Sequence, residues 1–309
     1  MTHSRTPRPD RLRPLILMNS ASGKGGSSAL GPRIADALRD AGHEPATVPI
    51  GPAWEREVEG RNLIIACGGD GTVNAAASVA QERNIPLYHI PRGTENLFAR
   101  EFGMRPDAAS LVRAIERWNV QRFDTGICAG GCGPERTFTL MCSVGFDADV
   151  LHALASRRSG PISHASYVRP VVSCLLRPSI RALRIEADGR TIVDGVRGNV
   201  VVSNCRRYAL GIDPSPEASM RDGHLDVFFA PSGSSARTLA WLAIGLARLT
   251  RLSRRIVRAR AREIRISSSS GGDAMRAFQL DGEAASLDRA DAPLVLSVRE
   301  RALPVLLPA

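Results

Sequence analysis

The sequence predicts an α/β N-terminal domain, a parallel sheet flanked by helices, followed by a C-terminal β-sandwich-like domain. Three observations carry that prediction. The chain has 309 residues, enough for two domains with separate cores. Strand-like and helix-like segments alternate four times in about the first hundred residues, as right-handed crossovers between parallel strands require. From about residue 123 onward, short strand-like runs separated by turns take over.

Residues 12–19 (LRPLILMN) form an apolar run ending in Asn, followed by a Gly/Ser turn. The next piece, ALGPRIADALRDAG, has helical periodicity and stops at Gly42. HEPATVPI reads as a second strand and AWEREVEG as a short helix. NLIIACGGDG is a buried strand running into a glycine turn, and TVNAAASVAQERN is the helix after it. IPLYHI is another strand, then TENLFAREFG and DAASLVRAIERWN are two helices. The second region offers RTFTLMCSV, IRALRIEA, RTIVDGV, RGNVVVSN, HLDVFFA, RIVRARAREIRIS, MRAFQLDG and APLVLSV as strands. The helices DADVLHALASR, ISHASYVRPVVSCLL and SSARTLAWLAIGLARL interrupt them. The expected divisions are a disordered basic tail over 1–11, an α/β domain over 12–124 and a β-rich domain over 125–299. The end of the chain, 300–309, is a candidate to return to the α/β domain.

Hydrophobic residues make up 43% and charged residues 23%, the balance of a globular protein. Aromatics are only 5%, which argues against a base-stacking surface. The net charge is +10, and every basic residue except Lys24 is arginine. A basic surface is drawn to anionic bilayers, nucleic acids or phosphorylated ligands. No aromatic-interleaved basic patch or helix-turn-helix pattern points to nucleic acid, so none is expected as a partner. Six cysteines show no paired metal spacing, and reduced thiols are expected. MTHSRTPRPDRLRP lacks the apolar core of a signal peptide. The longest apolar stretch, Leu239 to Leu249, is too short to span a bilayer. The expectation is a cytoplasmic protein.

The sharpest motif is Cys67-Gly68-Gly69-Asp70-Gly71-Thr72-Val73-Asn74, directly after a buried strand. Glycines let a backbone turn tightly and bring N–H groups to an anion, and the following helix adds its positive end. A carboxylate inside a phosphate turn would repel phosphate unless a metal ion or a hydroxyl proton belongs there. The plainer reading is a tight strand-to-helix turn with Asp or Thr as cap. Pro91-Arg92-Gly93-Thr94-Glu95-Asn96 stands at another such junction, where Thr94 can cap the next helix or reach a phosphate. Met18-Asn19-Ser20-Ala21-Ser22-Gly23-Lys24 is not a Walker A loop, because Met18 stands where that pattern needs Gly. The run Arg254 to Arg262 alternates, giving a strand a basic face that is either solvated or a headgroup contact. Leu239–Leu252 is expected to lie packed on the sandwich, and the histidines are expected to be surface or packing residues.

Together these residues resemble the diacylglycerol-kinase catalytic domain family, which includes sphingosine and ceramide kinases and the bacterial soluble lipid kinases. The family's signatures are matched in order by Asn19–Gly23, Gly68–Thr72, Pro91–Arg100, Gly145-Phe146-Asp147-Ala148 and Asp281-Gly282-Glu283. Ser20 stands where the family has Pro, and Ala75 where many members have Glu. The resemblance implies ATP and Mg as cofactors, with the nucleotide in the cleft between an α/β domain and a β-sandwich. It implies that Asn19, Ser22, Gly23, Gly68, Gly69, Asp70, Gly71, Thr72, Asn74, Gly93, Thr94 and Asn96 serve the nucleotide. Asp70 would position the catalytic Mg. Glu283, with Asp281 beside it, would be the general base. Ser219, Asp222 and His224 would hold a structural Mg. The implied activity is phosphorylation of a lipid hydroxyl, diacylglycerol-like or another long-chain alcohol, by a protein peripheral to an anionic membrane; a homodimer stays open. An NAD kinase or phosphofructokinase-like enzyme sharing the Gly-Gly-Asp-Gly-Thr loop, or a non-catalytic nucleotide-binding protein, are the alternatives. The Thr94–Arg100 turn and Asp281-Gly282-Glu283 favour the lipid branch.

Overall fold

The computed structural model describes residues 7–19, 30–156, 164–269, 275–289 and 291–309. The chain up to Phe123 together with Arg301–Ala309 forms one compact unit, and Asp124 to Glu300 forms the other (160–162, outside the described residues, aside). Unit 1 begins with β1 (Pro14–Met18), α1 (Leu30–Asp40), β2 (Ala46–Pro49) and β3 (Leu63–Gly68). It continues through α2 (Asp70–Arg83), β4 (Leu87–Pro91), α3 (Leu97–Phe102) and α4 (Ala108–Arg117). The strand β5 (Val120–Ala129) leads into unit 2, with β6 (Arg136–Phe138), β7 (Met141–Val144), α5 (Phe146–Ala155) and α6 (His164–Leu176). Then come β8 (Ala182–Ala187), β9 (Arg190–Ser203), β10 (Leu225–Pro231), α7 (Ser235–Leu246) and β11 (Val257–Ala261). Last are β12 (Glu263–Ser268), β13 (Ala277–Leu280), β14 (Glu283–Ser286) and β15 (Leu294–Leu306), whose final residues belong to unit 1.

Unit 1 is a parallel sheet in the order β2-β1-β3-β4-β15. β3 (LIIACG) is buried at every position, the pattern of a strand covered on both faces. α1 turns Ile34, Ala35 and Leu38 inward, and α4 turns Leu111, Ala114 and Ile115. Asp107 caps α4 by accepting the Ser110 N–H at 2.7 Å. The AWEREVEG segment, expected as a short helix, forms a single 3₁₀ stretch over Trp54–Val58. Of the tail expected over 1–11, residues 1–6 lie outside the described residues, while Arg11 is ion-paired to Glu44 at 2.9 Å.

Unit 2 is a sandwich of two antiparallel layers that share β9. One layer runs β14-β13-β7-β9-β10-β11, and the other β9-β8-β12-β15. Residues 190–197 of β9 pair with β8, and 198–203 with β10. At the changeover stands Gly198, where a Cβ would come within 2.6 Å of the Phe229 ring. The core draws Phe138, Val200, Val202, Phe229, Ile264, Ile266, Phe278 and Leu296 from both layers.

Two segments expected as continuous strands are divided. RIVRARAREIRIS becomes β11 and β12, because Asp188 Oδ1 accepts the N–H groups of both Arg262 and Glu263 at 2.9 Å. RTFTLMCSV becomes β6 and β7, broken where Thr139, Leu140 and Met141 turn their N–H groups to Asp281. The Leu239–Leu252 segment is not covered as expected: α7 buries only Thr238 and Gly245, and Leu252 is 77% exposed. Among the described residues no helix is long and apolar enough to cross a membrane.

Gly126 on β5 pairs with Phe138 on β6, and a Cβ there would lie 2.0 Å from that buried ring. Gly126→Ala is expected to cost about 1–3 kcal/mol by overpacking. Gly233→Ala, where a Cβ meets nothing within 4 Å, should stay within about 0.5 kcal/mol of the parent protein. Urea unfolding of the two variants measures the contrast.

Candidate active site

β1, β3 and β4 run parallel, so the turns that follow them lie at one edge of the unit 1 sheet, the edge where open α/β sheets bind ligands. After β1, Asn19 donates its backbone N–H to Cys67 O at 3.2 Å and its side-chain amide to Thr72 Oγ1 at 3.2 Å. Thr72 is buried in the first turn of α2 and fills the space over Gly68, where a Cβ would fall 2.1 Å from its hydroxyl oxygen. The turn after β4 presses on the turn after β3: a Cβ on Gly93 would stand 2.6 Å from Gly69 Cα. Asn96 braces this contact, accepting the Gly93 N–H at 2.7 Å and donating to Gly93 O at 2.8 Å. The backbone closes the junction where Arg92 N–H donates to Gly68 O at 2.7 Å.

Asp70 is the first residue of α2, and its two carboxylate oxygens accept the N–H groups of Leu97 and Phe98, each at 3.0 Å. Capping of α3 therefore comes from another turn and not from Thr94, which is exposed; α3 itself starts three residues later than the TENLFAREFG pattern predicts. The N-cap position is Asn96, at φ 49°, with no side-chain cap of its own. Each Asp70 oxygen keeps a further acceptor direction beyond its one N–H partner. Gly71 and Asn74 lie on the first turns of α2. Ser22 and Gly23 lie outside the described residues.

Below this edge, His89 is fully buried and its Nε2 stands 2.9 Å from Gly68 O, a carbonyl that can only accept. Burial holds the imidazole below its usual range, against the Gly68 hydrogen bond and the nearby Asp70 charge. His89 is thus a neutral strut under the glycine turn. Cys67, at the head of the motif, has its thiol pushed up to about 11 by burial, which removes it as a nucleophile at neutral pH.

In unit 2, Asp281 and Gly282 form the two-residue turn between β13 and β14, at φ 49° and 88°. The two acids of this turn face different surroundings. Asp281 is 5% exposed and accepts four hydrogen bonds, from Thr139 N and Oγ1, Leu140 N and Met141 N, at 2.6–2.9 Å. Glu283 is exposed at the start of β14. The Gly145-Phe146-Asp147-Ala148 segment opens α5, and Asp147 Oδ2 accepts the hydroxyls of Ser143 and Tyr208, both at 2.6 Å.

The residues expected to hold a structural metal lie just before β10. Asp222 Oδ1 accepts the His224 N–H at 3.1 Å, and its other oxygen is ion-paired to Arg260. Nearby, Asp124 accepts the Gly223 N–H at 2.8 Å. Among the described residues no group of three or more His, Cys, Asp or Glu side chains forms a metal-binding cluster. The arginines of the Arg254 to Arg262 run are exposed, as expected of a solvated face, and three of them, on β11 and just after it, also have partners. Arg258 bonds Thr250 O and lies over Phe228, Arg260 pairs with Asp222 and Asp226, and Arg262 pairs with Glu300.

Comparison with known proteins fits both units. The diacylglycerol kinase catalytic domain matches residues 13–128, and the YegS C-terminal NAD kinase beta sandwich-like domain matches residues 141–307. The chain belongs to the family defined by the YegS C-terminal domain, with a diacylglycerol kinase catalytic domain before it. A Mycobacterium tuberculosis relative named diacylglycerol kinase is 30% identical over 59% of this chain. The chain spans 59% of that relative's length. A Staphylococcus epidermidis diacylglycerol kinase is 26% identical over 84% of this chain and 83% of its own. A crystal structure of a Bacillus anthracis diacylglycerol kinase shares the fold, with a TM-score of 0.66 at 18% identity over 96% of both chains. His89 is a packing residue, one of the two roles expected for the histidines, whereas sequence reasoning passed over Ser143, Tyr208 and Gln279, since an isolated polar residue in an apolar run gives no sign that it points inward.

The Asp281 carboxyl is pushed up to about 6 by burial, against the four hydrogen bonds that favour its charge. The native state thus binds this proton more tightly than the unfolded chain does. Its contribution to stability is largest below 3.8 and declines as pH rises through the interval to about 6. Asp281→Asn is expected to leave at least one buried N–H facing an amide N–H, a loss of about 1–3 kcal/mol. It should also flatten the dependence of stability on pH across that interval, which urea titrations at several pH values will read.

Proposed function

We propose that this chain transfers the γ-phosphate of ATP to a lipid hydroxyl, on a diacylglycerol-like or other long-chain alcohol, at a membrane surface. The observation that carries the reading is the junction of the Gly69 and Gly93 turns, tied by Asp70 to the start of a second helix. Side-chain-free backbone meeting at helix N-termini is a setting for phosphate groups. In this reading Asn19, Ser22, Gly23, Gly68, Gly69, Gly71, Thr72, Asn74, Gly93, Thr94 and Asn96 receive the nucleotide.

Asp70 fits a divalent cation, since both of its oxygens retain acceptor capacity while its backbone neighbours fix the carboxylate. Bound Mg neutralises phosphate charge during transfer. Asn96 holds Gly93 in place so that no side chain intrudes on the phosphate turn. Glu283 accepts the proton of the attacking hydroxyl. Asp281 is assigned the supporting role, because its four donors leave it committed to the backbone of residues 139–141.

The membrane reading draws on exposed apolar side chains beside basic ones. Val168, Val172 and Leu176 on α6, and Leu246 and Leu252 on and after α7, are exposed, and Arg169, Arg177, Arg248 and Arg251 stand among them. Such a surface suits an anionic bilayer. Replacing Leu246 and Leu252 by Asp should lower partitioning onto anionic vesicles by about 10-fold or more, as sedimentation with liposomes will show.

The deciding assay gives labelled ATP and Mg to the protein with vesicles of diacylglycerol, sphingosine, ceramide or phosphatidylglycerol, and separately with NAD. Label is expected in lipid. Label in NAD alone would establish the NAD kinase alternative. Glu283→Gln is expected to lower kcat by about 10²–10⁴-fold, the usual contribution of a general base, with KM for ATP little changed.

A further inference from the structure

A chain of hydrogen-bonded polar groups, buried at its centre, leads from the Gly-Phe-Asp-Ala segment to the Asp-Gly-Glu turn, and none of the roles above uses it. Gly282 N–H donates to Gln279 Oε1 at 2.8 Å. Gln279 Nε2–H donates to Ser143 Oγ at 2.8 Å. The Ser143 hydroxyl donates to Asp147 Oδ2 at 2.6 Å, and Tyr208 donates to the same oxygen. Ala148 N–H occupies the other Asp147 oxygen at 2.8 Å. Ser143 is 0% and Gln279 2% exposed, so the central link is buried in unit 2, while Asp147 and Tyr208 are half-buried and Gly282 is exposed.

The direction of these bonds follows from their end point. A carboxylate only accepts, so Ser143 spends its one proton on Asp147 and must receive the next bond on its oxygen. That requirement turns the NH₂ face of Gln279 toward Ser143 and its carbonyl toward the turn. The carbonyl then has one partner, the Gly282 N–H. The amide orientation of Gln279 is thereby set by a charge two links away. Burial pushes the Asp147 carboxyl up, while the Ser143 and Tyr208 hydroxyls favour its ionised form.

A buried amide is costly unless satisfied, and an apolar residue would fill β13 at this position more cheaply. We propose that Gln279, oriented through Ser143 by Asp147 and Tyr208, is a positioning residue that holds the Asp281-Gly282-Glu283 turn and so aims Glu283. The proposal rests on the reading of Glu283 as the general base. It assigns the turn two anchors. Asp281 ties it to residues 139–141, and Gln279 ties it to β7 through the cross-strand pair Gln279–Ser143.

The test measures kcat and KM for ATP in Gln279→Leu, Gln279→Glu, Glu283→Gln and the double variant Gln279→Leu/Glu283→Gln. Gln279→Leu is expected to lower kcat about 10- to 100-fold through misplacement of the base, with KM for ATP within twofold. Because its effect passes through Glu283, the loss should be strongly non-additive with Glu283→Gln. Gln279→Glu adds a signature that a packing role would not give. Protonated, the new side chain can donate to Ser143 and accept from Gly282; ionised, it cannot donate. The activity of Gln279→Glu relative to the parent protein should therefore rise as pH falls, and this readout stands by itself should Gln279→Leu fail to fold. Full kcat in Gln279→Leu, additive losses, or a flat pH ratio in Gln279→Glu would overturn the proposal while leaving Glu283 as the base. Parent-level kcat in Glu283→Gln would overturn the base assignment, and the positioning role with it.

Discussion

Asp70 begins one helix and terminates the backbone of another. The N-terminus of α3 has unpaired N–H groups and a positive partial charge, and it needs an acceptor. That acceptor arrives from the turn after β3, whose own helix α2 starts at Asp70. With both helix starts drawn to one carboxylate, the turns after β3 and β4 must lie against each other. Their contact is so close that Gly69 and Gly93 leave no room for a side chain. Asn96, in the left-handed region at φ 49°, then closes the bracket by grasping Gly93 from both sides. The shape of the unit 1 edge follows from this one electrostatic tie.

Unit 2 repeats the device with different partners. Asp281 gathers three successive backbone N–H groups, Asp147 gathers two hydroxyls and a backbone N–H, and Asp188 bends the chain between β11 and β12. In each case one carboxylate gathers two or more donors that would otherwise be left unmet. The acids of this protein are thus divided between those consumed by architecture and those left open to solvent. Position in a motif does not distinguish them: Asp281 and Glu283 are two residues apart and stand on opposite sides of that division.

Much of the fold was legible in the sequence because it depends on local periodicity. The apolar runs of β1 and β3, the glycine stop after α1, and the change from alternating helix and strand to successive strands all declare themselves within a few residues. What was illegible depends on partners far away in the chain. The break between β6 and β7 comes from Asp281, about 140 residues later, and that between β11 and β12 from Asp188, 74 and 75 residues earlier. Thr94 reads as a cap from its position, yet the acceptor is Asp70. Leu239 to Leu252 reads as a packing face because amphipathic spacing does not say whether a partner covers it. The motif residues stood out by their order along the chain, whereas Ser143, Tyr208 and Gln279 are single polar residues whose meaning lies in hydrogen bonds between distant strands.

The fifth strand of the unit 1 sheet is supplied by the last stretch of the chain, at Val305 beside Leu87. Everything needed for unit 2 is therefore synthesised before the N-terminal sheet receives its final member. Until β15 is in place, β4 is a sheet edge with unpaired backbone groups, the kind of edge that invites pairing with other chains. Loss of the residues around Val305 would thus uncover the β4 edge of a sheet whose other strands lie more than 200 residues earlier in the sequence.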